Sequence, residues 1–244
     1  MFIKYGEESH LQELMSKGLI YFNPCKFFRD LEAEQMKKGM ADSNDGGISN
    51  LYKKVRLDTN DGTVSENQNQ IVDFIVKPCL KTPVFCIKRA KSEIITDKER
   101  YNLKVQFPKH THALIIEDED AFLENIRYNF RNRAFSHDIF YQNEFLKNFI
   151  DFLFYGKSVT NFYEPKKKSR YYAEFTVTLN NGKMSKLYID DSNFYKTMFR
   201  KNLFFNEQNE FRIALPYETQ EEGKKYQINQ VKARLCRIDE LVQS

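Results

Sequence analysis

The segment Asn206-Glu207-Gln208-Asn209-Glu210-Phe211-Arg212-Ile213-Ala214-Leu215 holds the residues best suited by type and spacing to do chemistry. A loop rich in amides and carboxylates runs straight into a strand-like stretch from Phe211 to Leu215. Side chains two positions apart on a strand project to the same face, so Glu210 and Arg212 face one side together. That side would be apolar if the strand were simply core. A carboxylate and a guanidinium there suit a pocket instead. Glu210 would accept a hydrogen bond from a hydroxyl or stabilise a cationic transition state, and Arg212 would bind phosphate or orient the carboxylate. The plainer reading of the same pattern is an exposed strand face with a weak ion pair.

Other constellations are weaker. Asp42 and Asp45 precede a glycine pair, but their spacing is not that of an EF-hand, and a solvated Asx turn accounts for them. His110 and His112 alternate near a strand start with no third ligand nearby, so no metal site is expected. Cys25, Cys79, Cys86 and Cys236 are widely spaced, with no C-x-x-C pair, and read as reduced thiols of a cytoplasmic protein. Histidines and cysteines do not assemble a nucleophile–base pair. The densest basic run is Lys166-Lys167-Lys168-Ser169-Arg170, followed by Tyr171 and Tyr172. Lys166, Lys167, Lys168, Arg170 and Tyr171 therefore form a candidate nucleic-acid contact, although a solvated loop explains the run as well. The glycines spell neither G-x-G-x-x-G nor a phosphate loop, which argues against a Rossmann dehydrogenase or a phosphate-loop NTPase.

These residues need a scaffold, and the composition supplies one. The chain has 244 residues, 41% hydrophobic and 15% aromatic, which is ample for a core. A net charge of +4 permits an anionic partner without demanding one. The N-terminus lacks a signal-peptide pattern, and no apolar run is long enough to span a membrane.

Periodicity and turn chemistry then place the elements. Phe2 to Tyr5 is a short strand, followed by a helix with Ser9 as N-cap, Gln12 as its capping-box partner and Gly18 as C-cap. Leu19 to Phe22 is a strand, and Cys25 to about Lys38 a helix. Further strands are expected at Leu51–Leu57, Ile71–Val76, Val84–Ile87, Leu103–Phe107 and Ala113–Ile116. Asn60 to Gln70 reads as a polar loop. Apolar three- and four-residue steps predict helices over Glu119–Arg133 and Phe145–Phe154. Tyr172–Leu179 and Met184–Ile189 flank Asn181-Gly182 as a hairpin. Asp190–Arg200 reads as a short helix, and strands follow at Phe211–Leu215, near Tyr226–Val231 and within Ala233–Leu241. The whole is one α+β domain over residues 1–244, with mixed, mostly antiparallel sheets flanked by short helices.

Three segments together resemble a family of bacterial and phage proteins without an established activity, whose members open on a Tyr-Lys-Tyr-like strand and close on a Glu-aromatic-Arg strand. They are Phe2-Ile3-Lys4-Tyr5 with His10-Leu11 and Gly18 to Pro24, then Pro83-Val84-Phe85-Cys86, then Gln208 to Ile213. Phe28-Arg29-Asp30-Leu31-Glu32 stands where the family has Asn-Asp-Pro, which marks a divergent branch. The order of opening strand, helix ending in Gly-Leu, and late Glu-bearing strand is also similar to ADP-ribosyltransferases, which bind NAD between two small sheets. That resemblance implies NAD as substrate, Glu210 as the catalytic carboxylate, and Lys4 or Tyr5 holding NAD. Tyr21 and Phe22 would stack on nicotinamide. The acceptor would be nucleic acid or protein, in a setting such as phage–host conflict. Two other functions fit the same residues. One is a module that sequesters a nucleotide or signalling molecule through Arg212, Arg29 and aromatics. The other is a nucleic-acid-binding or nuclease effector using Lys166 to Tyr172.

Overall fold

The computed structural model describes residues 1–35, 47–58, 64–75, 77–142, 173–178, 184–189 and 198–242. The chain opens with β1 (Phe2–Gly6), α1 (Glu8–Lys17), β2 (Leu19–Pro24) and α2 (Cys25–Gln35). Next come β3 (Gly47–Asp58), β4 (Val64–Ile75), α3 (Lys77–Leu80), β5 (Pro83–Arg89), α4 (Asp97–Gln106), β6 (His112–Ile116) and α5 (Glu119–Asn129). After these lie β7 (Phe135–Asp138), β8 (Phe140–Gln142), β9 (Ala173–Thr178), β10 (Met184–Ile189) and β11 (Arg200–Asn202). A 3-10 turn (Leu203–Gln208), β12 (Glu210–Ala214), β13 (Lys224–Gln227), β14 (Arg234–Arg237) and a last 3-10 turn (Ile238–Leu241) complete it. The fold is α+β, as expected, with mostly antiparallel sheets.

The central sheet runs β13-β2-β5-β1-β6-β14, with β12 and then β7 attached to β5. β12 pairs with β5 from Val84 to Lys88, along one edge of that strand. β1 and β2 must therefore share the other edge. β1 holds it at Lys88 and Arg89, and β2 holds it at Pro83 and Val84. Between those points the sheet forks. Lys4 Nζ donates to the Cys86 carbonyl at the fork, 2.7 Å away, supplying a partner where β1 has already left β5.

Alternation assigns each strand's residues to two layers. Phe2, Phe22, Phe85, Ile87, Leu114, Ile116, Phe211 and Ile213 meet Leu11 and Leu14 of α1 and Phe122, Leu123 and Ile126 of α5 in the largest core cluster. Each fully buried side chain of this kind contributes about 1.5–3 kcal/mol. On the opposite face two separate clusters form. Ile3, Ala113, Ile115 and Cys236 pack with Ile238 and Leu241. Val84 and Ala214 pack with Cys25, Cys79, Met198 and Phe199.

Local chemistry explains most boundaries. Gly18 caps α1 at φ 65°, and a Cβ there would lie 2.1 Å from the Ile228 carbonyl oxygen, so glycine is required. The expected Ser9 cap is displaced: the helix begins at Glu8, Glu7 is the N-cap without a side-chain bond, and Gln12 reaches Glu8 instead. The expected strand over Leu103–Phe107 is helical. Thr96 accepts from the Glu99 amide, and Asp97 and Glu99 fill the first turn, a start signal that outweighs the apolar alternation. Of the polar stretch expected as a loop over Asn60–Gln70, residues 64–70 belong to β4, because backbone pairing with β3 satisfies a strand whatever its side chains, and residues 60–63 lie outside the described residues. β9 and β10 pair antiparallel, as expected of a hairpin, with Met184 opposite Thr178. Phe145–Phe154, most of Asp190–Arg200, and Asp42 and Asp45 lie outside the described residues.

Candidate functional site: a charged seam beside Glu210

Glu210 opens β12 rather than ending the loop before it. Asn209 takes a left-handed φ of 42° directly after the 3-10 turn, a conformation asparagine tolerates, and this reverses the chain into the strand. The Glu210 amide donates to the Tyr141 hydroxyl of β8 at 2.8 Å, and its carbonyl accepts from the Ile139 amide at 2.9 Å. Strand, turn and β8 thus fix the backbone of this residue on both sides.

Glu210 and Arg212 do share a face, but that face is buried: Glu210 is 7% exposed and Arg212 fully enclosed. Arg212 Nε donates to Glu210 Oε1 at 2.8 Å, and Arg212 Nη2 lies 2.8 Å from the same oxygen. Lys201 Nζ of β11 sits 2.6 Å from Oε2 and 3.0 Å from the Gln208 amide oxygen. Arg212 Nη1 donates to the Met198 carbonyl at 2.6 Å, and the Phe28 ring lies 5.9 Å away. The exposed-face alternative for this pair is therefore corrected: an i, i+2 pair on an interior strand is enclosed by the elements packed over it.

Burial alone would raise the Glu210 carboxyl. Arg212 and Lys201, with the Cys86 thiol, overcome that and hold it well below the usual carboxylate range, so it is ionised. Cys86 itself is pushed up to about 12, first by burial and then by Glu210, so it is a thiol and not a thiolate. Tyr141 is likewise pushed up to about 12 by burial.

Cross-strand register extends the site. Ile3, Lys88 and Glu210 form one row across β1, β5 and β12, so Tyr5, two residues beyond Ile3, faces the same side. Glu99 of α4 joins the two ends: it pairs with Lys88 and accepts from the Tyr5 hydroxyl at 3.3 Å. Tyr5 is raised by burial and by Glu99, and stays a neutral phenol. Tyr5, Glu99, Lys88, Cys86, Glu210, Arg212 and Lys201 thus make a polar seam between the two apolar clusters of this face. Lys88, with a side chain 15% exposed, and Glu99, at 29%, form its rim.

Other expected residues fall elsewhere. Lys4 belongs to the fork, half-buried, its Nζ 4.8 Å from the Phe85 ring centroid. Burial lowers its ammonium, and Cys86 and Glu210 counter part of that. His110 is near enough that burial and Lys4 together lower it to about 4. Tyr21 is 48% exposed on β2, a strand that meets β5 only at Asn23 and Pro24. Phe22, expected to stack on nicotinamide, lies in the core. Its ring is fully buried against Phe85, Phe130 and Tyr226, because β2 alternates and Phe22 takes the core side. Arg29 is half-buried on α2, one residue beyond Phe28. Lys166, Lys167, Lys168, Arg170 and Tyr171 lie outside the described residues. Among the described residues no cluster of three or more metal-ligating side chains occurs, and no helix is long and apolar enough to cross a membrane.

Lys201, Lys88 and Glu99 were not singled out by sequence. Each sits in an ordinary charged stretch, and only pairing across strands brings them to Glu210. Compared with protein-family models, with curated proteins and with solved structures, the chain matches none.

Proposed function

We propose that the seam binds a phosphate-bearing ligand of the nucleotide class, NAD being the first candidate, and retains it without turnover. The observation that carries this is the occupation of Glu210: Arg212 holds one carboxylate oxygen and Lys201 the other. A carboxylate so neutralised projects little negative field toward an oxocarbenium centre. Lys88, Lys201 and Arg212 also set three cationic groups along one poorly solvated seam, and cationic groups so placed attract phosphate. Cys25, Cys79, Cys86 and Cys236 form no disulfide with one another, which suits a reducing compartment such as the cytoplasm.

ADP-ribosyltransferase-like turnover is the second function, favoured by one specific observation. Tyr5 and Glu210 share a face, and Glu210 is ionised. A ligand phosphate that drew Lys201 away would free Oε2 to stabilise positive charge at the ribose.

Calorimetric titration with NAD, followed by mass spectrometry of the recovered ligand, separates the two. Capture predicts stoichiometric heat and intact NAD. Released nicotinamide that disappears in Glu210→Ala selects the transferase. Neither heat nor nicotinamide would overturn both.

A further inference from the structure

The end of α5 carries a second feature, independent of the seam. Arg127, Arg131 and Arg133 are all exposed within seven residues, and Tyr128 between them is 77% exposed. Three other arginines that reach solvent are paired. Arg89 meets Glu119 and Asp138, Arg100 meets Asp97 and Asp239, and Arg234 meets Glu93. No ion pair joins Arg127, Arg131 or Arg133 to any described carboxylate.

The backbone that carries these residues is held in a set conformation. Arg131 and Asn132 adopt left-handed φ values of 51° and 57° in succession. The Asn132 amide donates to the Arg127 carbonyl at 2.8 Å, and the Arg133 amide to the Phe130 carbonyl at 2.9 Å. Phe130 is in turn anchored by Phe22 and Tyr226, each 5.7 Å away between ring centroids. Arginines at a helix C-terminus complement the helix dipole. That accounts for their charge, but not for a tyrosine left standing in solvent among them.

We propose that Arg127, Tyr128, Arg131 and Arg133 form a contact surface for single-stranded nucleic acid. Guanidinium groups without protein partners bind backbone phosphates, and an exposed aromatic ring stacks on a base, a pairing that selects no particular sequence. A duplex would offer the phosphates but not an accessible base face.

Fluorescence anisotropy with a labelled oligo-dT strand over a salt series tests this. Three phosphate contacts to a single strand give a logarithmic salt slope of about −2. The triple variant Arg127→Gln, Arg131→Gln, Arg133→Gln flattens that slope and abolishes most binding. Tyr128→Ala weakens binding roughly tenfold with the slope unchanged, since stacking involves no counterion. A wild-type slope that persists in the triple variant would assign binding to another basic segment and overturn the proposal. Equal competition by polyglutamate, tight binding to anionic phospholipid vesicles but not to oligo-dT, or a triple variant that changes only thermal stability would also overturn it.

Discussion

On one face of the central sheet, Phe2, Phe85, Ile87, Phe211 and Ile213 merge into a single apolar cluster beneath α1 and α5. On the other face the alternate residues of the same strands form two smaller clusters, kept apart by Cys86, Lys88, Glu210 and Arg212. Phe211 and Glu210 are neighbours in sequence, yet they serve opposite layers. The difference shows what each layer is for. Apolar contact is tolerant of shape and adds stability per area buried, whereas enclosed charge must be satisfied atom by atom and is costly to leave incomplete. A protein needing only a core would continue the apolar layer on both sides.

Removing Arg212 should break this contrast most severely. Arg212→Ala leaves Glu210 buried without the cation on its Oε1, and loss of one partner of a buried ion pair costs about 3–5 kcal/mol. Chemical denaturation would show it as a lower midpoint. On the apolar face, Ile213 is fully buried, and Ile213→Ala should cost about 3 kcal/mol through lost contact and residual cavity. A seam variant that cost far less than Ile213→Ala would mean that the charges are solvated rather than enclosed.

Acid should sharpen the contrast further. His110 is held neutral, its value lowered to about 4 from an unfolded value near 6.5. The unfolded chain therefore takes up the proton first, and stability falls as pH drops from about 6.5 to about 4. His110→Gln removes that slope. Glu210, held down by its cations, contributes stability that is fully present above an unfolded value of about 4.3 and is lost as pH falls below it. Glu210→Gln should flatten the curve only in that lower range, leaving the His110 slope in place.

Much of the framework was legible in the sequence. Gly18, the pairing of β9 with β10, the amphipathic run in α5 and the shared face of Glu210 and Arg212 each rest on local periodicity or turn chemistry. The fork was not legible, because nothing local says that β1 and β2 share one edge of β5. Nor were the roles of Lys201, Lys88 and Glu99, which depend on register across strands far apart in sequence. α4 was misjudged because a capping threonine and two acidic residues set its start more strongly than the apolar spacing of Leu103, Val105 and Phe107 suggested. Phe22 has the aromatic type of a stacking residue, but alternation along β2 turns it to the core side, and alternation decides its place.

The measurement that tests the central claim most directly compares the NAD affinity of Lys201→Gln and Glu210→Gln, each verified as folded. A seam that recognises phosphate through its cations, with Glu210 competing for them, predicts opposite signs. Lys201→Gln should weaken binding roughly tenfold, the scale of one charge-assisted hydrogen bond, and Glu210→Gln should strengthen it. Weakening of similar size in both variants, or no change in either, would contradict the account.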